Sequence, residues 1–156
     1  MKKNFLLALA TLLLFSSCGN DDNENTQNTI ESFPGIWKMS KTMIISGSNN
    51  ATLQSSNITG CEALNLFEFR QNQGFSIKYY TKNNNECITD GFDTGNYQYN
   101  ENSKMLTFTY ADSLVKSVVI YSLNNTEMMT VDRIEDYNND GVNDTAVIVF
   151  KKNTNL

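Results

Sequence analysis

The sequence of 156 residues contains no histidine and only one proline and one tryptophan. Without an imidazole, Ser-His-Asp and Cys-His catalysis, histidine-ligated zinc and the commonest general base near neutral pH are excluded. Basic side chains are also scarce, with 12 Lys and Arg against 17 Asp and Glu. Nucleic-acid affinity comes largely from Lys and Arg on phosphates, so an acidic chain with no basic cluster is a poor candidate for binding DNA or RNA.

Long apolar runs are lacking as well. The longest, residues 5–15, is too short to span a bilayer as a permanent helix. It follows Lys2 and Lys3 and precedes small residues, which is the layout of a secretory signal, so residues 1–17 are predicted to be a signal peptide. Its removal leaves ten basic against seventeen acidic side chains, a formal charge of -7.

The end of this segment, "FSSC", resembles a bacterial lipobox with Cys18 as the acylated residue. The resemblance implies an exported lipoprotein held by its lipid at the outer membrane, on the periplasmic or the cell-surface face. Two or more acyl chains anchor a protein stably, whereas one does so only marginally. Residues 18–32 are predicted to be a flexible acidic tether, and their "GNDDNEN" also resembles the export tag of surface-exposed lipoproteins. The folded domain is predicted to occupy residues 33–156.

Two further cysteines, Cys61 and Cys87, remain if Cys18 carries lipid. In an oxidising compartment these two are expected to form a disulfide. The alternative is a pair of unrelated buried thiols.

Past Gly35 the apolar residues recur with a period of two, as in "LTFTY" and "FSIKY", and no long amphipathic helix is visible. Turn clusters rich in Asn and Gly separate the apolar stretches, and short links of this kind favour antiparallel neighbours. The predicted fold is all-β, an eight-stranded antiparallel up-and-down barrel, because closure removes exposed sheet edges. A β-sandwich is the alternative. The predicted strands are residues 36–46, 63–70, 74–81, 95–100, 104–110, 116–123, 127–133 and 145–152.

The first predicted strand carries Gly35 and Trp37 as Gly-x-Trp, which resembles the first-strand motif of lipocalins. The later layout is similar to bacterial lipocalin-like domains of lipoproteins: Cys61 precedes the second predicted strand, and Cys87 precedes a Gly-x-Tyr strand. The resemblance implies a barrel whose base is plugged by Trp37. Animal lipocalins stack an arginine over this tryptophan, and here the last strand offers Lys151 and Lys152 for the same cation-π contact.

An acidic loop, "EDYNNDGVND", joins the last two predicted strands with the spacing Asp-x-Asn-x-Asp-Gly-x-x-Asp. Calcium prefers about six to eight oxygen ligands, and every second residue of such a loop can supply one. The twelfth position, a bidentate Glu in an EF-hand, is Val147 here, so the loop resembles instead the strand-flanked calcium loops of FG-GAP repeats. The alternative is an ordinary polar hairpin turn without a metal ion. The predicted Ca²⁺ ligands are Asp136, Asn138, Asp140, the Val142 carbonyl and Asp144.

These features predict a non-catalytic, membrane-anchored lipoprotein with a lipocalin-like binding domain and a structural calcium ion. Its partners are predicted to be the membrane, through Cys18, and a small apolar ligand or a surface protein. One alternative is an interaction or inhibitor subunit of a cell-surface complex; another is a carboxylate-dependent hydrolase using two of Glu62, Glu68, Glu86 and Asp90. Five aromatic residues are expected either to line a ligand cavity or simply to fill the core: Phe75, Tyr79, Tyr97, Phe108 and Tyr110.

Overall fold

The computed structural model describes residues 33–153, which fold into nine antiparallel strands and one short 3₁₀ turn. The predicted all-β class is confirmed. The elements are β1 (Gly35–Ile45), β2 (Thr52–Asn57), the 3₁₀ turn (Glu62–Leu64), β3 (Leu66–Phe69), β4 (Gly74–Asn83), β5 (Glu86–Asn100), β6 (Met105–Tyr110), β7 (Val115–Leu123), β8 (Glu127–Glu135) and β9 (Asp144–Lys152).

Strand β1 closes the sheet into a ring. Its first residues pair with β3, and most of its length pairs with β9, from Trp37 opposite Lys152 to Ile45 opposite Thr145. Eight strands, β1 and β3 to β9, therefore form the ring, as the predicted barrel requires. The ninth strand, β2, pairs with the second half of β1 and lies outside this circuit.

Two differences from the predicted strands concern their limits. Residues 63–70 were expected to form one strand, but they begin in the 3₁₀ turn and only four residues, β3, pair with β4. Strand β5 starts at Glu86 and not at Gly95, so Cys87 lies within a strand and does not precede one. The added part of β5 has little apolar alternation, and it is extended because it pairs with the second half of β4 in a hairpin.

Single extra residues interrupt the strand register at several places, and bulges of this kind bend the strand that contains them. Ser40 is the extra residue of β1 opposite β9, and Asp90 is that of β5 opposite β4. Tyr121 is the extra residue of β7 opposite β8, and Asp132 is that of β8 opposite β9.

Many turns use residues in the left-handed backbone region, where asparagine is tolerated better than most side chains. Seven non-glycine residues of the described part have a positive φ, and four of them are Asn50, Asn84, Asn85 and Asn139. The abundance of asparagine in the sequence thus serves the tight links between strands.

The core lies inside the ring and is mainly aromatic. Phe33, Trp37, Phe75 and Leu106 are each at most 1% exposed. A smaller apolar cluster on β1, β8 and β9 lies on the opposite face of the sheet, because strand side chains alternate. Its members are Ile45, Val147 and Val149, with Met43 and Met129 packed against them.

Candidate functional site

A cavity of about 250 Å³ lies inside the ring. Side chains from seven of the strands line it, and nearly all of them are aliphatic or aromatic. Thr130 adds one hydroxyl, Tyr79 and Tyr110 add phenols, and Lys116 is the one charged side chain of the lining. The full lining is Met39, Phe67, Phe69, Ile77, Tyr79, Leu106, Phe108, Tyr110, Lys116, Val118, Met128, Thr130, Ile148 and Phe150.

The end of the ring at the start of β1 is closed by a tryptophan plug. The Trp37 side chain is fully buried, and its Nε1 donates a hydrogen bond to the Phe33 carbonyl at 2.9 Å. The Lys152 ammonium lies 5.2 Å from the centre of the indole ring, which is the lysine contact that the sequence suggested. Burial lowers the pKa of Lys152.

Gly35 explains the glycine of the Gly-x-Trp motif. Its φ of +135° is a conformation that side chains with a Cβ rarely adopt, and a Cβ there would meet the Lys152 side chain. The motif therefore leaves room for the lysine that covers Trp37.

The opposite end of the ring carries the polar rim of the cavity. The Tyr79 hydroxyl donates a 2.7 Å hydrogen bond to Asp93, and the Lys116 ammonium lies 5.3 Å from the centre of the Tyr110 ring. Burial, and then the hydrogen bond to Asp93 and its charge, raise the pKa of Tyr79 well above the ordinary tyrosine value. Burial also raises the pKa of Tyr110, with added effects of Asp93 and Asp112. The rim thus combines neutral phenols with one cation and two carboxylates.

The five aromatic residues singled out from the sequence divide between the two roles expected for them. Phe75 and Tyr97 are buried in the core, at 1% and 5% exposure. Tyr79, Phe108 and Tyr110 line the cavity. Lys116 was not identified from the sequence as a site residue. Lys116 and Val118 are two positions apart on β7, so their side chains lie on the same face of the strand.

A second depression, of about 690 Å³, lies around the β5–β6 turn at the tryptophan end. It is open to solvent and lined by amides and hydroxyls, among them Gln73, Gln98, Asn102 and Ser103. An apolar ligand would bury little apolar surface there, so the interior cavity is the better candidate for such a ligand.

The acidic loop connects β8 to β9, as expected, and is wound by hydrogen bonds from its own backbone. Asp136 accepts from the amides of Asp140 and Gly141, at 3.2 and 2.9 Å. Asn138 Oδ1 accepts from the Asp140 amide at 2.9 Å, and Asp140 Oδ1 accepts from the Val142 amide at 2.8 Å. The Val142 hydrogen bond, followed by the one from Asn138, lowers the pKa of Asp140.

Asp144 has a different setting from the other two aspartates. It is the first residue of β9 and is fully buried. Its Oδ1 accepts from the Gly47 amide at 3.0 Å, and its Oδ2 accepts from the Tyr137 amide at 2.9 Å. The side chain therefore ties the β1–β2 turn to the acidic loop.

The predicted calcium ligands thus share one loop but are not gathered into a cluster of carboxylates. Within residues 33–153, no three Asp, Glu, Cys or His side chains are grouped closely enough to hold a metal ion. The donors present are carboxylate, amide and carbonyl oxygens, which is the chemistry that calcium prefers. A carboxylate oxygen that accepts one amide hydrogen keeps a second lone pair for a cation.

The predicted disulfide is confirmed. Cys61 and Cys87 are bonded, with their Cα atoms 5.2 Å apart. The bond connects the residue before the 3₁₀ turn to the outer part of β5, and so holds the β2–β3 connection against the β4–β5 hairpin.

Of the carboxylates considered for hydrolysis, Glu68 is occupied by its neighbours. It forms a salt bridge with Arg70 at 2.9 Å and accepts a hydrogen bond from Ser76 at 2.8 Å, and these contacts lower its pKa. A general acid needs the opposite shift, toward a raised pKa. Glu62, Glu86 and Asp90 are solvent-exposed side chains.

The predicted signal peptide, the predicted lipidation site at Cys18 and the predicted tether lie outside the described residues. Within residues 33–153, no helix has the length and apolar character needed to cross a membrane.

Comparison with known proteins connects this geometry to a family. The sequence profile of the Lipocalin-like domain family matches residues 33–131, more than half of the chain. That segment ends before the acidic loop. No curated protein sequence gave a significant match.

Among solved structures, a lipocalin-like protein from Bacteroides uniformis is 11% identical, with a TM-score of 0.47 over 78% of this chain and 99% of that one. A bovine lipocalin allergen is 12% identical, with a TM-score of 0.40 over 81% and 77% of the two chains. An odorant-binding protein is 16% identical, with a TM-score of 0.39 over 81% and 75%. On the match of residues 33–131, this chain belongs to the family of lipocalin-like domains.

Proposed function

We propose that this protein is an exported, membrane-anchored lipoprotein whose lipocalin-like domain binds a small apolar ligand inside the ring of strands. The observation that carries the binding role is the apolar interior cavity of about 250 Å³. A ring whose interior was filled by side chains would have no room for a small-molecule ligand.

The size of the cavity limits the ligand. A cavity of about 150 Å³ accommodates one benzene, so a volume of 250 Å³ corresponds to a ligand of about ten non-hydrogen atoms. Contact with the aromatic and aliphatic lining would supply most of the affinity, because burying apolar surface is favourable by about 25 cal/mol per Å².

The experiment uses 1-octanol as a neutral apolar probe and measures binding by isothermal titration calorimetry. Adjacent residues on β7 give a matched pair, since Val118 lines the cavity and Val119 is 38% exposed on the other face. Val118→Phe should fill the cavity and abolish octanol binding, whereas Val119→Phe should bind like the unmodified protein. Equal loss in both variants, or no binding of octanol to the unmodified protein, would contradict the proposed site.

The proposed calcium ion belongs to the acidic loop. Asp136, Asn138, Asp140, the Val142 carbonyl and Asp144 are the ligands proposed for it, and the charge of the ion would offset the repulsion of bringing the three carboxylates together around it. Because the site lacks the bidentate Glu of an EF-hand, we expect a Kd of about 10⁻⁴ to 10⁻³ M, suited to an extracellular site.

Calcium binding is tested by thermal melting with and without EDTA. At about 10 mM calcium, such a Kd corresponds to a stabilisation of about 1.4 to 2.7 kcal/mol. Asp140→Ala should lose the calcium-dependent rise in Tm, and Asp112→Ala, in another turn, should keep it. Melting curves that EDTA leaves unchanged in the unmodified protein would rule out the calcium site.

The proposed anchor rests on the sequence around Cys18. Labelling of growing cells with a palmitate analogue should mark the protein, and Cys18→Ser should remove the label while leaving a folded, soluble domain. Label retained by the Cys18→Ser variant would place the lipid elsewhere.

A further inference from the structure

We propose that the ligand of the interior cavity is a compact amphipathic anion, an apolar monocarboxylate of about ten non-hydrogen atoms whose carboxylate binds Lys116. This inference rests on the proposed function and specifies the class of ligand for the same site.

The first observation is the position of Lys116 between cavity and solvent. Its neighbours on the same face of β7 and β6, Val118 and Phe108, line the interior, while Lys116 itself is solvent-exposed. The cavity therefore reaches the surface at this lysine, and a ligand lying in the cavity can place one end beside the ammonium group.

The second observation is that Lys116 is not neutralised by the protein. Within the described residues it makes no salt bridge; its contact is with the face of the Tyr110 ring, at 5.3 Å. In contrast, Lys151 at the other end of the ring is paired with Glu127. An ammonium group at the mouth of an apolar cavity, with its three donors open to a ligand, matches a carboxylate.

The carboxylates of the rim are already engaged. Asp93 accepts the hydroxyl of Tyr79 at 2.7 Å, and Asp112 accepts the Leu114 amide at 3.0 Å. Neither carboxylate is part of the cavity lining, whereas Lys116 is. The charges of Asp93 and Asp112 favour a cationic ligand, and that of Lys116 favours an anionic one. Because only Lys116 has direct access to the cavity, we expect the ligand to be an anion.

Chain length is the second part of the inference. An unbranched acid with ten non-hydrogen atoms, octanoate, matches the cavity of 250 Å³, whereas palmitate is almost twice as large. The site should therefore prefer medium-chain or small aromatic acids over long-chain fatty acids.

The test compares octanoate, 1-octanol and octylamine by calorimetry at neutral pH and low salt. These probes each contain eight carbon atoms and differ in charge. In an apolar cavity without a cation the alcohol should bind better than the acid, because desolvating a carboxylate is costly. With Lys116 in place we expect octanoate to bind about fivefold or more tightly than 1-octanol, a preference that weakens as salt is added.

Two lysine variants complete the design. Lys116→Met keeps the length of the side chain but removes its charge, so the order should reverse in favour of 1-octanol. Lys82→Met removes the same charge from the β4–β5 hairpin, outside the cavity lining, and should leave the preference for octanoate intact. Lys116→Arg should retain that preference and guards against a folding defect at this position.

Other results of these measurements would contradict specific parts of the proposal. Binding of 1-octanol by the unmodified protein that is as tight as or tighter than that of octanoate, or tighter binding of octylamine, would overturn the anion while leaving the apolar site in place. Tighter binding of palmitate than of octanoate would overturn the size limit. If none of the probes bound, the proposed binding function itself would fail, and this inference with it.

Discussion

The contact between β5 and β6 at Gly95 provides the sharpest test of how the ring is packed. A Cβ at this position would meet the Thr109 carbonyl oxygen directly, and it would lie 2.8 Å from the Phe75 ring and 2.9 Å from the Tyr110 Cα. Two of these neighbours are backbone atoms, which cannot move aside by changing a rotamer. Overpacking of this kind costs about 1 to 3 kcal/mol, and we expect Gly95→Ala to lie at the upper end, about 2 to 3 kcal/mol.

The same strand offers a matched control. Gly91 also belongs to β5, but a Cβ there would have no heavy atom within 4 Å. Alanine at this position should restrict mainly the unfolded chain, so Gly91→Ala should be neutral or stabilising by about 0.4 to 1 kcal/mol.

Urea denaturation followed by the fluorescence of the buried Trp37 is the assay. With a slope of about 2 kcal/mol per M, Gly95→Ala should lower the midpoint by about 1 to 1.5 M, and Gly91→Ala should not lower it. Equal midpoints for the two variants would refute the reasoning, because they would show that the close approach of β5 and β6 is not present in solution.

The remaining predictions concern the disulfide and the rim. The bond between Cys61 and Cys87 closes a loop with a sequence separation of 26, so replacing both residues by Ala should lower the free energy of unfolding by about 3.5 kcal/mol. An unchanged urea midpoint in that variant would contradict this reasoning, because it would mean that loss of the cross-link does not raise the conformational entropy of the unfolded chain. Because the pKa of Tyr79 is raised, its neutral form stabilises the fold below the ordinary tyrosine pKa of about 10, and this stability is lost as the pH rises beyond that value. Asp93→Asn should lower the pKa of Tyr79 in a spectrophotometric titration of the phenols, and a titration curve that does not move would contradict the rim geometry.

The all-β class was predictable because a strand with one buried face carries apolar residues at every second position. Strand β6, with Leu106, Phe108 and Tyr110 facing the core, shows this alternation plainly. Strand β2, with the sequence "TLQSSN", was missed because all six of its residues are exposed and no face needs to be apolar. It is extended because it pairs with the second half of β1, on the edge where β3 no longer pairs. A strand that is held by backbone pairing alone leaves little pattern in its side chains.

The candidate sites show the same division. The acidic loop was recognisable from its spacing, since its donors follow one another in the chain. The bond of buried Asp144 to the Gly47 amide was not, because the two residues are 97 positions apart in the chain and meet only when β1 pairs with β9.

The sequence by itself determined the strand-forming segments, the likeness to lipocalins and the pair of cysteines, because each is written in local spacing and composition. Only the tertiary structure decided that the aromatic residues leave a cavity and that Lys116 lies at its mouth. The volume of a cavity depends on how side chains from seven strands meet across the ring, and spacing along one strand does not record those distances.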